Sequence, residues 1–526
     1  MHPALAISEI LYLIFSHFSH RDDSCVLSIL ARICKTFRDP ALDLLWANQD
    51  GLVNLLLCMP QDVFDTPELN GERIRAAKRG TFRSTEGFDV QMCLARPLVE
   101  SDWHRVSCYA PRVKSLVFTD EARQMVSEIL PSLITCVPRF LLPNLETLRW
   151  GHSRRDLHYI RLFLGPKLTT LHASFDPSIT NLSLFSTLKH ICPELMNISI
   201  HFWDESDAAD HTFSAFITAL SHVETLTTDC TITSKALVAH LPTFRSLSLA
   251  NLPRIVTPLP TASQLRSVTL GPLYPYLANA FLNSSRFPEM EDICVTFNNN
   301  TLAKTISDFF LALAASCSPT SLALIRVDQG PNDFYDSGPN EMDPYVISAN
   351  SLQILSHFRN LESFRLTTPT GLDADDDSVG DLARSWPHLR DLSLKAVYPP
   401  THQRTTLRCL DTLASHCPDL SQLTISLDAR QIPSITGVRQ TSLERLEVRY
   451  SQISSAQPVA AYLSALFPRL KMVQVSMEAL DYYPDEEPIE YAWDCVSRYL
   501  SGLSPQHEVG SGGVDEQASM GEEWAV

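Results

Sequence analysis

The sequence predicts an α/β solenoid, with parallel strands on a concave face and helices outside, preceded by a small three-helix module. Three observations predict it. A six-residue pattern, apolar-x-x-apolar-x-apolar, recurs along most of the chain. A proline stands two residues before most copies. The segments between copies carry apolar residues at the three-and-four spacing of a helix.

The pattern occupies positions 113–118, 145–150, 168–173, 195–200, 223–228, 244–249, 265–270, 290–295, 322–327, 361–366, 389–394, 420–425, 443–448 and 470–475. These are fourteen copies, two of them imperfect at the third apolar site. In a chain that is 44% apolar the triple alone is weak evidence, because it should arise by chance roughly twenty times. The prolines decide it. Pro111, Pro143, Pro166, Pro193, Pro242, Pro288, Pro387, Pro418 and Pro468 precede nine of the fourteen copies, where the overall abundance of proline predicts about one. The mean spacing of about 27 residues is that of leucine-rich repeats.

Each copy has a physical reading. Its alternating tail is a short strand with one buried face, and the proline, lacking a backbone donor, ends the preceding helix and opens the turn into the strand. Helices are predicted over 213–220, 306–314, 407–414 and 459–466. One unit cannot bury its own face, so neighbours must stack. The asparagine or cysteine expected three positions after the last strand apolar in such repeats is present only at Asn298, which predicts an irregular horseshoe. Loops are expected at 328–344, 373–377 and 398–400.

Composition narrows the function. The formal charge of −18 on 526 residues argues against nucleic acid or an anionic membrane as main partner. The thirteen cysteines include no C-x-x-C pair, so no disulfide framework or zinc ribbon is expected, and a reducing compartment, cytoplasm and/or nucleus, fits. No signal peptide or membrane span is read. Residues 481–526 hold eleven acidic residues and one basic one; a closing helix is expected over 491–500 and an acidic disordered tail beyond.

Residues 3 to about 50 do not fit the repeat. Ile7, Ile10, Leu11, Ile14, Phe15 and Phe18 share one helical face, with Ser8 as N-cap and Glu9 in the first turn. A second helix is expected from about Ser24 and a third from about Pro40, a bundle too small to bury its core unaided.

The string Ile7-Ser8-Glu9-Ile10-Leu11, with Ile14, Phe15 and Phe18, then Ile33-Cys34-Lys35 with Phe37, then Leu45-Trp46, resembles an F-box in order and spacing; Ser8 stands where the family has proline. With the repeats, the whole is similar to the fungal F-box and leucine-rich-repeat proteins. The resemblance implies an F-box over 3–60, a helical linker over 61–110, about fourteen repeats over 111–480, and a cap and tail over 481–526. It implies docking on a Skp-type adaptor, and through it a cullin and RING ligase, by Leu5, Ile7, Ser8, Glu9, Ile10, Leu11, Ile14, Phe15, Cys34, Phe37, Leu45 and Trp46, while the repeats hold a protein substrate. The competing class is a leucine-rich interaction scaffold whose N-terminal helices only cap the stack.

No catalytic motif is present, so a non-catalytic role without cofactor or metal is expected. His190 with Cys192, Cys317, and His416 with Cys417 read as buried residues at repeat-helix ends. The basic run 73–83 reads as a solvated linker helix, and Asp373, Asp375, Asp376 and Asp377 as a solvated turn rather than a calcium loop. The strand positions between buried apolar residues face the concave side, and Arg149, His172, Arg326, Arg365, Arg445 and Glu447 are the substrate-contact candidates there, the arginines as partners of carboxylate or phosphate.

Overall fold

The computed structural model describes residues 7–18, 24–65, 92–136, 140–151, 157–255, 258–298, 301–329, 343–400, 403–475 and 487–502. Leu5, the basic run 73–83, most of the loop 328–344 and the acidic tail from residue 503 lie outside them. The fold is an α/β leucine-rich-repeat solenoid. The chain forms two compact units, Met1–Tyr345 with Ile354–Leu361, and Val346–Gln353 with Glu362–Val526.

In the first unit ten parallel strands follow one another in sequence order: β1 (Asn48–Asp50), β2 (Ser115–Phe118), β3 (Thr147–Trp150), β4 (Thr170–Phe175), β5 (Asn197–Phe202), β6 (Thr225–Thr228), β7 (Ser246–Leu249), β8 (Ser267–Leu273), β9 (Asp292–Phe297) and β10 (Leu324–Gln329). The second unit has five more, β11 (Ser363–Thr368), β12 (Asp391–Ala396), β13 (Gln422–Ile425), β14 (Arg445–Val448) and β15 (Val473–Val475). Every predicted copy of the pattern lies on one of these strands. Its central residue is buried each time, as at Leu116, Leu247, Ile325, Leu392 and Val473. β1 is the strand that sequence reasoning missed. Its central residue is Gln49, whose amide donates to the carbonyls of Leu45, Trp46 and Asn48 and whose Oε1 accepts from Asn54, so a polar side chain fills an apolar slot with its hydrogen bonds made.

A backbone ladder sets the register. The carbonyls of Lys114, Glu146, Thr169, Met196, Glu224, Arg245, Arg266 and Glu291 each accept two N–H groups from the next repeat, at 2.7–3.2 Å. Glu362, Arg390 and Ser421 do the same in the second unit. At the opposite strand end, where the usual asparagine ladder is missing, single bonds substitute. Asp229 accepts the N–H of Phe202 at 2.9 and 3.0 Å, Ser451 Oγ accepts that of Leu427 at 2.9 Å, and Thr368 Oγ1 accepts that of Gly371 at 2.9 Å.

The predicted helices form as longer elements, Asp207–Ala219, Ala303–Ser316, Arg408–His416 and Ala456–Leu466. Caps fix several starts: Ser206 accepts from Ala209 N, Thr233 from Ala236 N, and Asp375 from Ser378 N. Irregularity shows where the outer element is a 3-10 helix, Leu157–Leu162, or where the described residues between β7 and β8 form no helix. The final helix, Glu487–Leu500, closes the second unit. Trp493 Nε1 donates to Ser451 O at 2.8 Å, and the Ser497 hydroxyl accepts from Val473 N at 2.9 Å and donates to Val473 O at 2.7 Å, taking the place of a further strand.

Three expectations need correction. The third helix, Lys35–Ala47, starts before Pro40 and holds it buried in its interior. The region 61–110 is not wholly helical: Phe64–Asp65 pairs antiparallel with Cys93–Leu94, because Val63, Phe64 and Met92 are buried and Arg96 folds back to clamp Asp62 and Asp102. His190 and His416 are exposed, while Cys192, Cys317 and Cys417 are buried, with thiols pushed up to about 12 by burial.

The register yields a test. Leu247→Ala and Leu392→Ala should each cost about 2 to 5 kcal/mol in chemical denaturation. Ser248→Ala and Ser393→Ala, on the face turned to solvent, should stay within about 0.5 kcal/mol.

Candidate functional site

Two surfaces of the first unit draw attention, the N-terminal module and the sheet face. The module comprises α1 (Ser8–Ser16), α2 (Ser24–Ile33) and α3 (Lys35–Ala47). Leu11 and Phe15 from α1, Leu27 from α2 and Ala41 from α3 form its core, with Leu30, Ala31, Phe37, Leu44 and Leu45 against them. Phe15 and Phe37 meet edge to face at 5.3 Å.

The α1 stripe of the sequence reading divides in two. Its six residues span a wide arc, and α3 covers only the side carrying Leu11 and Phe15. Ile7, Ile14 and Phe18 remain exposed and Ile10 is half-buried. Tyr12, Leu13 and Ile29, which the reading did not single out, are exposed as well, Leu13 at 67%, and so is Ile33 of the F-box-like motif at 60%. So many large apolar groups uncovered on and beside α1 and α2 mark a surface that lacks its partner. Ser8 and Glu9 are exposed beside them. The N-cap position belongs to Ile7, whose carbonyl accepts from Leu11 N, so Ser8 is the first helical residue and caps nothing with its side chain.

Cys34 and Leu45 line a groove of about 630 Å³ together with Leu42, Tyr109 and the cations Arg32, Lys35 and Arg38. No described carboxylate pairs with these three, so the groove presents positive charge in a chain of net charge −18.

Trp46 does other work. It stacks on Tyr109 of α4 (Trp103–Tyr109) at 4.7 Å and 19°, and Arg112 joins Asp39 at 2.8 Å and Asp43. α3 then continues directly into β1, which pairs with β2 residue for residue, Gln49 opposite Leu116. Gly51 ends the strand with φ +87; a side chain there would bring Cβ to 2.8 Å from that of Ala122. The module is therefore part of the first unit's sheet rather than a bead on a linker.

On the sheet face one row of outward residues runs Val117, Arg149, His172, Ser199, Thr227, Ser248, Thr269, Cys294 and Arg326, each cross-strand from the next. In the second unit the row is Arg365, Ser393, Thr424, Glu447 and Gln474, with Arg445 beside it cross-strand from Gln422. Two of the candidate arginines are engaged: Arg326 pairs with Asp328 and Arg365 with Asp391. Asp328 stands two residues further along the same strand face, and Asp391 on the neighbouring strand. Glu447 accepts from Thr424 Oγ1 at 3.3 Å. Arg149 and Arg445 are exposed, and no described carboxylate pairs with either.

His172 is half-buried, and burial, then the charges of Arg149 and His201, hold its pKa below the usual imidazole value. His201, which the sequence reading passed over, lies with Nδ1 3.6 Å from Asp229, whose hydrogen bond raises its pKa. The segment 373–377 is not the solvated turn expected: Asp373 ends a short strand and Asp376 and Asp377 open a helix, because three of the carboxylates are tied into the fold. Asp373 pairs with Arg404, Asp375 caps a helix, and Asp376 accepts from Thr406 N and Oγ1 at 2.6 Å. Among the described residues no three metal-ligating side chains converge, and no helix is long and apolar enough to cross a membrane.

The fold is that of a leucine-rich-repeat solenoid. No family model and no curated protein matches the chain. Among solved structures it is similar to the Rad7 and Elc1 complex of yeast, at 14% identity over 86% of this chain and 94% of that one, TM-score 0.33. It is also similar to the leucine-rich repeat-containing protein LegL7 from Legionella pneumophila, at 13% identity over 68% and 98%, TM-score 0.26.

Two results should follow from the module's construction. Removing residues 1–60 takes β1 away and bares the edge of β2, so this truncation should lower the thermal midpoint of the first unit and promote self-association in light scattering. Ser8→Pro, at a first helical position whose N–H has no intrahelical partner, should leave the midpoint unchanged or raise stability by up to about 1 kcal/mol.

Proposed function

We propose that this chain is the substrate-recognition adaptor of a Skp, cullin and F-box type ubiquitin ligase. The observation that carries the reading is the uncovered apolar face of the module, Ile7, Tyr12, Leu13, Ile14, Phe18, Ile29 and Ile33, on helices whose sequence resembles an F-box. In this reading Ile7, Ile10 and Ile14 enter the Skp-type adaptor, Ser8 and Glu9 border the contact, and Cys34 and Leu45 offer it the basic groove. Leu11, Phe15 and Phe37 hold the face in shape from within, and Trp46 ties it to the repeats. The sheet face holds a protein substrate. The chain itself makes and breaks no bond; it contributes proximity to a transfer carried out by other subunits of the ligase. It works without cofactor, in the cytoplasm or nucleus.

One observation favours a second reading. Because β1 is the first strand of the sheet, the three helices also act as the end cap that a repeat stack requires, and a scaffold without any ligase would need them for that alone. Affinity purification with mass spectrometry separates the two. The double change Ile10→Asp and Ile14→Asp should abolish adaptor capture while circular dichroism stays that of the parent and the thermal midpoint falls only slightly, since Ile14 is exposed and Ile10 half-buried. Capture that survives the double change leaves the module as a cap only.

A further inference from the structure

The groove of the N-terminal module keeps its positive charge because its own helices offer nothing to neutralise it. α2 contains no acidic residue, and the two of α3, Asp39 and Asp43, are both drawn to Arg112. Arg32, Lys35 and Arg38 are left exposed along the groove, and no described carboxylate pairs with any of them; Arg32 donates to the carbonyl of Ser28 at 3.0 Å. Cations on the sheet fare differently, Lys114 meeting Glu146, Arg245 meeting Glu224 at 3.3 Å and Arg266 meeting Glu291 at 3.1 Å. Between the three cations lie Leu42, Leu45 and Tyr109 of α4, all half-buried. A space of about 630 Å³ with an apolar floor and a cationic rim takes an acidic segment that also carries a large apolar side chain.

We propose that this groove is the docking site of the chain's own C-terminal segment, with Glu522 and Glu523 on the cations and the Trp524 indole on the apolar floor. Residues 503–526 hold five carboxylates, no lysine or arginine, and one large aromatic residue, Trp524, directly after that acidic pair. Ion pairs at an exposed rim are weak and screened by salt, so the indole supplies what the charges cannot, a buried anchor. A phosphate backbone or lipid headgroup would meet the cations but leave the apolar floor wet, and the net charge of −18 opposes both. Residues 476–486 carry acidic groups as well, but they are held at both ends, between β15 and the final helix. Because the ligase reading gives the same groove to the adaptor, the docked segment and the adaptor exclude one another there. That consequence rests on the ligase reading; the docking itself does not.

The test uses the full chain carrying Glu522→Lys, Glu523→Lys and Trp524→Ala, so that its own segment no longer competes, and a fluorescent peptide of residues 503–526 read by anisotropy at fixed ionic strength without adaptor. The peptide should bind saturably, and a peptide of the same residues in scrambled order at least about tenfold more weakly. Adding Lys35→Glu and Arg38→Glu should remove the binding, while Arg439→Glu with Arg469→Glu, the same change of charge at exposed cations elsewhere, should leave it intact; the thermal midpoint checks that each variant is folded. No binding, equal binding of the scrambled peptide, binding that survives Lys35→Glu with Arg38→Glu, or loss with Arg439→Glu and Arg469→Glu overturns the docking. In a second arm the chain with the altered segment should capture at least about twofold more adaptor than the parent. Equal capture by the two overturns the mutual exclusion, and no capture by either overturns the ligase reading; the anisotropy result stands apart from both.

Discussion

The carbonyl that precedes a strand, from Lys114 to Glu291 in the first unit and from Glu362 to Ser421 in the second, accepts two backbone N–H groups from the repeat that follows, and within each unit this shared acceptor is what the other features depend on. From Lys114 to Glu291 the same atom in successive repeats holds the next chain segment in one register. A slip by a single residue would turn every central leucine to solvent. Once the register is fixed, the central apolar residues stack into one buried row and the residues on either side into polar rows, and the charges of neighbouring repeats meet at fixed intervals, as Glu224 meets Arg245 and Arg266 meets Glu291. Hydrophobic burial drives the stack; the ladder decides which atoms are buried.

This explains what could be read from the sequence. The strands were legible because the copies carry their own spaced apolar residues and nine of the fourteen a helix-ending proline, a local signal repeated until chance is excluded. β1 was not, because Gln49 sits where a leucine is expected and owes its place to four hydrogen bonds that no spacing rule encodes. The start of α3 was misread for a related reason. Proline is favoured at a first helical position, but Pro40 is buried deep inside its helix, and the sequence shows the residue without showing what surrounds it.

The sites were legible to a lesser depth. Periodicity identified the α1 stripe, yet which half turns inward depends on where α3 crosses it, a tertiary fact. Arg326 and Arg365 looked equivalent to Arg149 in the linear pattern. Asp328, two residues along the same strand face as Arg326, was within reach of the alternation rule, whereas the pairing of Arg365 with Asp391 becomes visible only when strand neighbours are known, because that partner lies a full repeat away. His201 escaped notice because it falls just beyond the six-residue motif, on the part of β5 that extends past the usual strand length.

The direct passage of α3 into β1 has a mechanical meaning. Four strand steps separate β1 from β5, about 19 Å across the sheet, and each step is a set of backbone hydrogen bonds rather than a tether. Whatever seats on the helices and whatever rests near Arg149 and His201 are thus held at a distance set by peptide geometry. The first unit behaves as a ruler, whose graduations are the strands themselves.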